Sequence, residues 1–381
     1  MPFNVLNRRM TARLSELEEQ DQMRTLACLS GVNLSSNDYL GLSIHPLLRD
    51  AVREGVEHCE RVGATGSRLL SGHYAIWDEL EGAFAAYAGT EAALFFNSGF
   101  SANTGLLSSV LGPEDVVFSD QLNHASIIDG IRLSRAQKII YPHGNLTFLE
   151  DALRRFSQNS RSQMIVTESI FSMDGDRAPL RTLFELAERY GAEIIVDEAH
   201  ATGVCGPRGR GLVAELGLER RAFAIVHTCG KALASAGAFV SGTLTLKRFL
   251  INHARSFIFS TGLPPYLAFQ IRAALSLAAS MDAERHHLSA LAQQLRGRLS
   301  SLGFDHGLSD SHIVPFIIPG AKAALGMALH LREHGFAVRA IRPPTVPPGA
   351  ERLRLSLTAK LAAEDMDRFT EAVSCSHLVH G

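Results

Sequence analysis

The chain is 381 residues long, 46% hydrophobic and 20% charged, with a formal net charge of −2 and a pI near 6.8. That length calls for one large domain plus a smaller one, and the near-neutral balance lacks the basic excess expected of a nucleic-acid motor. Five cysteines (Cys28, Cys59, Cys205, Cys229, Cys375) are odd in number and never spaced C-x-x-C, which argues against a disulfide framework or a metal site and suits a reducing compartment.

In chain order, "MPFNVLNRRMTARLSELEEQ" has no continuous apolar stretch and carries several acids, so no signal peptide is expected. "IWDELEGAFAAYAG" (76–89) has helical periodicity ending on a glycine, and "AALFF" (92–96) reads as a buried strand. A helix follows, with Ser101 as its expected N-cap. Then "DVVF" (115–118), "KIIY" (138–141), "QMIVTES" (163–169) and "AEIIVDEAH" (192–200) alternate with helical segments. That alternation predicts an α/β fold with a mostly parallel sheet flanked by helices, and ligands at the carboxyl ends of the strands. The longest apolar run, 232–246, is too short for the roughly 20 residues of a membrane span, so a cytoplasmic protein is expected, with no membrane or nucleic-acid partner. After Pro264-Pro265 a single long helix is predicted over 266–302, and short segments such as "HIVPFII" and "LRLSLT" complete a smaller α+β domain. The expected division is an N-terminal segment (1–45), a large domain (46–250) and a small C-terminal domain (251–381).

"VDEAHATGV" (196–204) contains Asp197-Glu198-Ala199-His200, letters shared with a class of ATP-driven helicases. That reading needs a phosphate loop, G-x-x-x-x-G-K-[ST]. The only Gly-Lys pair is Gly230-Lys231; Ile225 stands where the first glycine belongs and Ala232 where the hydroxyl belongs. The loop is absent. "GATGSRLLSG" (63–72) is likewise no G-x-G-x-x-G. What remains is a strand-end aspartate, a histidine three residues on, and a lysine in a small-residue stretch, "HTCGKALASAGAF". Pyridoxal phosphate needs this set: a lysine amine for its aldehyde, a carboxylate for its pyridine nitrogen, and a helix N-terminus for its phosphate. "NSGFSAN" (97–103) offers that terminus. Cys229, two residues before the lysine, is read as a buried thiol. The small residues around Lys231 are explained equally by acyl-chain approach and by tight packing.

The stretches "SSNDYLGLS" (35–43), "GSRLLSGH" (66–73), "FNSGFSAN" (96–103), "DQLNHASIIDG" (120–130), "TESIFSMDGDRAPL" (167–180), "TCGKALASAGAF" (228–239) and "FIFSTGLPP" (257–265) appear in order. With them the chain resembles the α-oxoamine synthase family of pyridoxal-phosphate enzymes, which have the fold type I of aspartate aminotransferase. "AIRPPTVPPGAERLRLSLTA" (340–359) resembles members that condense L-alanine with pimeloyl-CoA or its acyl-carrier-protein thioester in biotin synthesis. A sister synthase using glycine or serine is the alternative. A catalytically silent scaffold subunit is disfavoured by the presence of Lys231.

The resemblance implies a role for each matched residue. Lys231 carries the cofactor and then acts as base, Asp197 meets the pyridine nitrogen, and His200 and Ser172 meet the phenolic oxygen. His124 stacks on the ring, with an acid role toward the thioester left open. Gly99, Phe100 and Thr228 bind the phosphate. Ser260 and Thr261 reach it from a partner subunit, so a homodimer with shared sites is expected. Arg354 clamps the amino-acid carboxylate, Asn37 lies near the amino acid, and Arg24 and Arg342 meet the acyl substrate. Arg352 is expected to face the opposite side of its strand from Arg354 and to serve only as a surface charge.

Overall fold

The computed structural model describes residues 4–156 and 162–376. They fall into two compact units, one of 38–156, 162–172 and 176–286 and one of 4–37, 173–175 and 287–376. Residues 251–286, read above with the small domain, therefore group with the larger unit.

The larger unit is built on seven strands: β1 (Ala92–Phe96), β2 (Val116–Asp120), β3 (Gln137–Tyr141), β4 (Gln163–Glu168), β5 (Glu193–Asp197), β6 (Ala224–Thr228) and β7 (Ala238–Gly242). Their order is β1-β7-β6-β5-β4-β2-β3. Only β7 runs against its neighbours, pairing antiparallel with both β1 and β6. The expected mostly parallel sheet is present. β1, β2, β4 and β6 are buried at every position, as strands covered by helices on both faces must be, hence the apolar run of at least three residues in each. β3 lies at the edge and is largely exposed. Its Gln137 and Lys138 suit an edge that must not recruit further strands. Leu94, Val117, Val166, Ile195 and Val226 pack with Leu106, Leu107 and Ile127 from the helices Gly99–Val110 and Ala125–Ser134.

Because β7 alone is reversed, the other six strands point their carboxyl ends to one edge of the sheet. Helices that start just beyond those ends are fixed by their caps. Ser98, not Ser101, is the N-cap of the 99–110 helix: its hydroxyl accepts from the Ser101 amide at 3.1 Å, and the Ser101 hydroxyl accepts from the Ser98 amide at 3.0 Å. This reciprocal box satisfies two amides that the helix cannot. The predicted 266–302 helix is two helices, Leu267–Ser280 and Asp282–Ser301. The break at Met281 is held by Arg285, which donates to the Ala278 carbonyl at 2.5 Å.

In the smaller unit β8 (Ile313–Ile317), β9 (Ala340–Ile341) and β10 (Arg352–Ser356) form an antiparallel sheet in the order β9-β10-β8. No helix among the described residues is long and apolar enough to cross a membrane.

Candidate active site

Five of the six co-directed strands end at, or just before, a residue of the candidate site. Asp197 ends β5, Glu168 ends β4 beside it in register, and Thr228 ends β6. His124 follows β2 as the N-cap of the 125–134 helix. Gly99 follows β1 as the first residue of its helix.

Asp197 is 5% exposed. Its Oδ2 accepts from Asn103 Nδ2 at 2.7 Å and its Oδ1 from the Ala199 amide at 2.9 Å, so both oxygens are held. His200 is also buried, with Nε2 at 3.0 Å from Lys231 Nζ and Nδ1 at 2.6 Å from the Tyr39 hydroxyl. Lys231 itself is half-buried. It sits in a tight loop closed by hydrogen bonds from the Ala234 amide to the Lys231 carbonyl (2.8 Å) and from the Ser235 amide to the Cys229 carbonyl (2.8 Å). Ala234 there has φ of 45°, a left-handed conformation costing about 1–3 kcal/mol for a residue with a Cβ. Gln270 Nε2 donates to its carbonyl at 2.9 Å and helps to hold it. Cys229 is fully buried and burial pushes its thiol pKa up, in agreement with an inert thiol.

At Gly99 a Cβ would meet Thr228 Cγ2 at 2.6 Å, so only glycine lets the helix start this close to β6. The amides of Gly99 and Phe100 lie in the first helical turn, where no helical carbonyl can take them. Phe100 is 47% exposed, its ring meeting that of His124 edge-on at 6.4 Å between centroids. Thr228 is buried, its hydroxyl donating to the Ala199 carbonyl at 3.3 Å. Ser172 is half-buried. Thr261 is exposed, and its carbonyl accepts from Asn97 Nδ2 at 2.6 Å.

His124 has its pKa lowered, first by loss of hydration; Asp197 opposes this and Lys231 adds to it. Glu168 is buried and its pKa is pushed up to about 8 by burial and then by the Asp197 carboxylate.

In the smaller unit Arg354, 9% exposed, donates to Asn37 Oδ1 at 3.1 Å and also bonds the Ser356 hydroxyl. Arg352 overturns the expectation made for it. It is 5% exposed and pairs with Asp174 at 2.7 Å while donating to the Met173 carbonyl at 3.3 Å. The reason is the period of a strand: residues two apart share a face, so Arg352 and Arg354 point the same way. Arg24 donates to Thr345 Oγ1 at 3.1 Å, and Arg342 donates to the carbonyls of Asp21 and Met23. These residues line a cavity of about 700 Å3 together with Arg332 and Arg339.

Tyr39, Asn103, Ser126 and Glu168 lie inside the motifs that carried the resemblance, yet none was assigned a role from the sequence. A buried polar side chain needs a partner, but nothing in a sequence says which one.

A further contact fixes the loop that carries Ser172. His143 bridges Asp120 (Nδ1, 2.9 Å) and Asp176 (Nε2, 2.8 Å). Burial disfavours its charge, but hydrogen bonds to the two carboxylates and their charges prevail and push its pKa up to about 10 from 6.5. A raised folded pKa stabilises fully below the unfolded value and loses that contribution as pH rises through the folded one. Replacing His143 with asparagine should therefore lower Tm most near pH 6, with the deficit shrinking toward pH 10. A deficit independent of pH would refute the charged bridge.

Residues 30–373 match the family described as aminotransferase class I and II. An 8-amino-7-oxononanoate synthase of Aromatoleum aromaticum is 43% identical over 379 residues, covering 96% of this chain and 97% of the relative. A serine palmitoyltransferase of S. paucimobilis with a bound PLP–myriocin aldimine superposes with a TM-score of 0.89 at 28% identity, over 97% of this chain and 98% of that one. The 8-amino-7-oxononanoate synthase of Francisella tularensis does so with a TM-score of 0.79 at 28% identity, over 91% and 97%.

Proposed function

Because the chain belongs to the aminotransferase class I and II family, we propose that it is a pyridoxal-phosphate-dependent acyltransferase with the activity of the 8-amino-7-oxononanoate synthases it resembles. It condenses L-alanine with a pimeloyl thioester, carried on CoA or an acyl-carrier protein. The products are 8-amino-7-oxononanoate, carbon dioxide and the free thiol, in biotin biosynthesis. What supports this most is the grouping of an amine, an imidazole and a carboxylate (Lys231, His200, Asp197) at the ends of adjacent parallel strands.

The residues present fit the cofactor. A buried carboxylate with both oxygens held, at Asp197, suits a protonated pyridine nitrogen. The cradle at Gly99, which a Cβ would fill, suits a phosphate on the first amides of a helix. Pyridoxal phosphate, when bound, supplies an aldehyde that takes up an amine and a cationic ring that draws electrons from the amino acid's Cα. Asp197 would hold the ring-nitrogen proton. His200 and Ser172 would donate to the phenolic oxygen, and the Gly99 and Phe100 amides with Thr228 would hold the phosphate. Thr261 would complete that site from a second copy, so the reading includes a cytoplasmic homodimer.

The chain's own chemistry is proton handling and orientation. Lys231, once its amine is free, removes the Cα proton of alanine. His200 lies within hydrogen-bond distance of that amine and steadies it between transfers. Arg354 takes the alanine carboxylate, its planar fork matching the two oxygens as a lysine would not. Asn37 keeps that guanidinium oriented, and Arg24 and Arg342 are assigned to the acyl donor.

A visible spectrum of the purified protein with added pyridoxal phosphate tests this. A cofactor band that changes with L-alanine, and then with pimeloyl-CoA as product forms, is the expected result. A band answering only to glycine or serine would transfer the chain to a sister synthase.

A further inference from the structure

We propose that Asn103 and Ser126 are positioning residues that tie Asp197 to His124 and hold the His124 ring in the tautomer protonated on Nε2. Asn103 is in the middle of the 99–110 helix, where asparagine is a poor helix former, and it is 2% exposed. Such a residue must be fully used. Its Nδ2 donates to Asp197 Oδ2 at 2.7 Å and to Ser126 Oγ at 2.9 Å. Ser126 is completely buried, with Oγ at 2.7 Å from His124 Nδ1 and its own amide at 3.2 Å from the same nitrogen.

The donor chemistry fixes the direction of every bond. An amide NH2 group and a backbone N–H can only donate. The Ser126 amide, at 3.2 Å, favours an accepting His124 Nδ1 but is the longer and weaker of the two contacts there. The Ser126 hydroxyl accepts from Asn103 through one lone pair and, facing an acceptor at 2.7 Å, donates its single hydrogen to that nitrogen as well. A proton on Nδ1 would face both hydrogens. A neutral ring is left with its proton on Nε2, because the hydrogen bond at one ring nitrogen decides the state of the other. One side chain thus orients the carboxylate meant for the pyridine nitrogen and, through a single hydroxyl, the imidazole meant to cover the ring.

The consequence for the reaction is a division of labour. His124 offers an N–H to an oxygen of the reacting partners and is not available as a base on Nδ1, which leaves Cα proton removal to Lys231. This step rests on the reading of the site given above, but the tautomer is a property of the chain and is measured apart from turnover.

The test is two-bond 1H–15N correlation of the full-length protein labelled with 15N-histidine, recorded without and with pyridoxal phosphate. The His124 signals are assigned by their loss in His124→Gln. The expected wild-type pattern has Nδ1 in the unprotonated range and Nε2 in the protonated range. In Ser126→Ala and in Asn103→Ala the two shifts should move toward each other as the second tautomer gains population. A wild-type proton on Nδ1 overturns the proposal whether or not any variant folds. Folded variants with unchanged shifts also overturn it, because the Ser126 amide alone would then set the ring. If no product forms from alanine and a pimeloyl thioester while the tautomer behaves as stated, the functional reading fails and this inference stands.

Discussion

Replacing Lys231 with alanine should abolish condensation while leaving the fold intact. General acid–base groups typically contribute about 10²–10⁴-fold, and Lys231 is also the residue to which the cofactor would be linked, so a loss of at least about 10³-fold in kcat is expected. The side chain is half-buried, and its Nζ lies 3.0 Å from His200 Nε2. Tm of the cofactor-free protein should therefore shift little, whereas the visible band of a lysine-linked cofactor should disappear. Product can be followed by mass spectrometry with L-alanine and pimeloyl-CoA. Turnover above a tenth of wild type would remove Lys231 from the mechanism and place the base elsewhere.

The strands of the large sheet were legible because each is a short apolar run bounded by turn residues, and a sheet covered on both faces demands that pattern. Lys231, Asp197 and His200 stand out in the sequence because the chemistry proposed for the site calls for a lysine and a carboxylate near strand ends. Three differences are local. Ser98 and Ser101 are both good caps, and the choice between them depends on where the 99–110 helix meets Thr228, a contact across 129 residues of sequence. Arg352 was placed on the wrong face although strand geometry alone puts it beside Arg354. The Met281 break depends on Arg285 reaching the Ala278 carbonyl, which an Ala/Leu-rich pattern does not disclose. Tyr39 and Asn103 stayed silent for a deeper reason. Their roles are relations to His200 and Asp197, 161 and 94 residues away, and no periodicity encodes a partner at that separation.

Asp197→Asn should be the most damaging isosteric change in the chain, for two separable reasons. A neutral amide cannot stabilise a cationic ring nitrogen, and losing one preorganised electrostatic group at a reacting centre typically costs about 10²–10³-fold in kcat. The second reason concerns the protein alone. Both carboxylate oxygens accept, one from Asn103 Nδ2 and one from the Ala199 amide. An asparagine at that position can accept through one atom only and must turn its own NH2 group against the other donor. A buried donor left without an acceptor costs about 1–3 kcal/mol, so the cofactor-free variant should melt below wild type. Glu168 gives a third readout. Burial and then the Asp197 charge hold its pKa up to about 8, so removing the charge should bring it down, which a pH titration of carboxyl 13C shifts would detect. Full activity with a lowered Tm would mean that Asp197 serves the fold and not the cofactor. Lost activity with an unchanged Tm would mean that the hydrogen bonds from Asn103 and Ala199 contribute nothing to holding it.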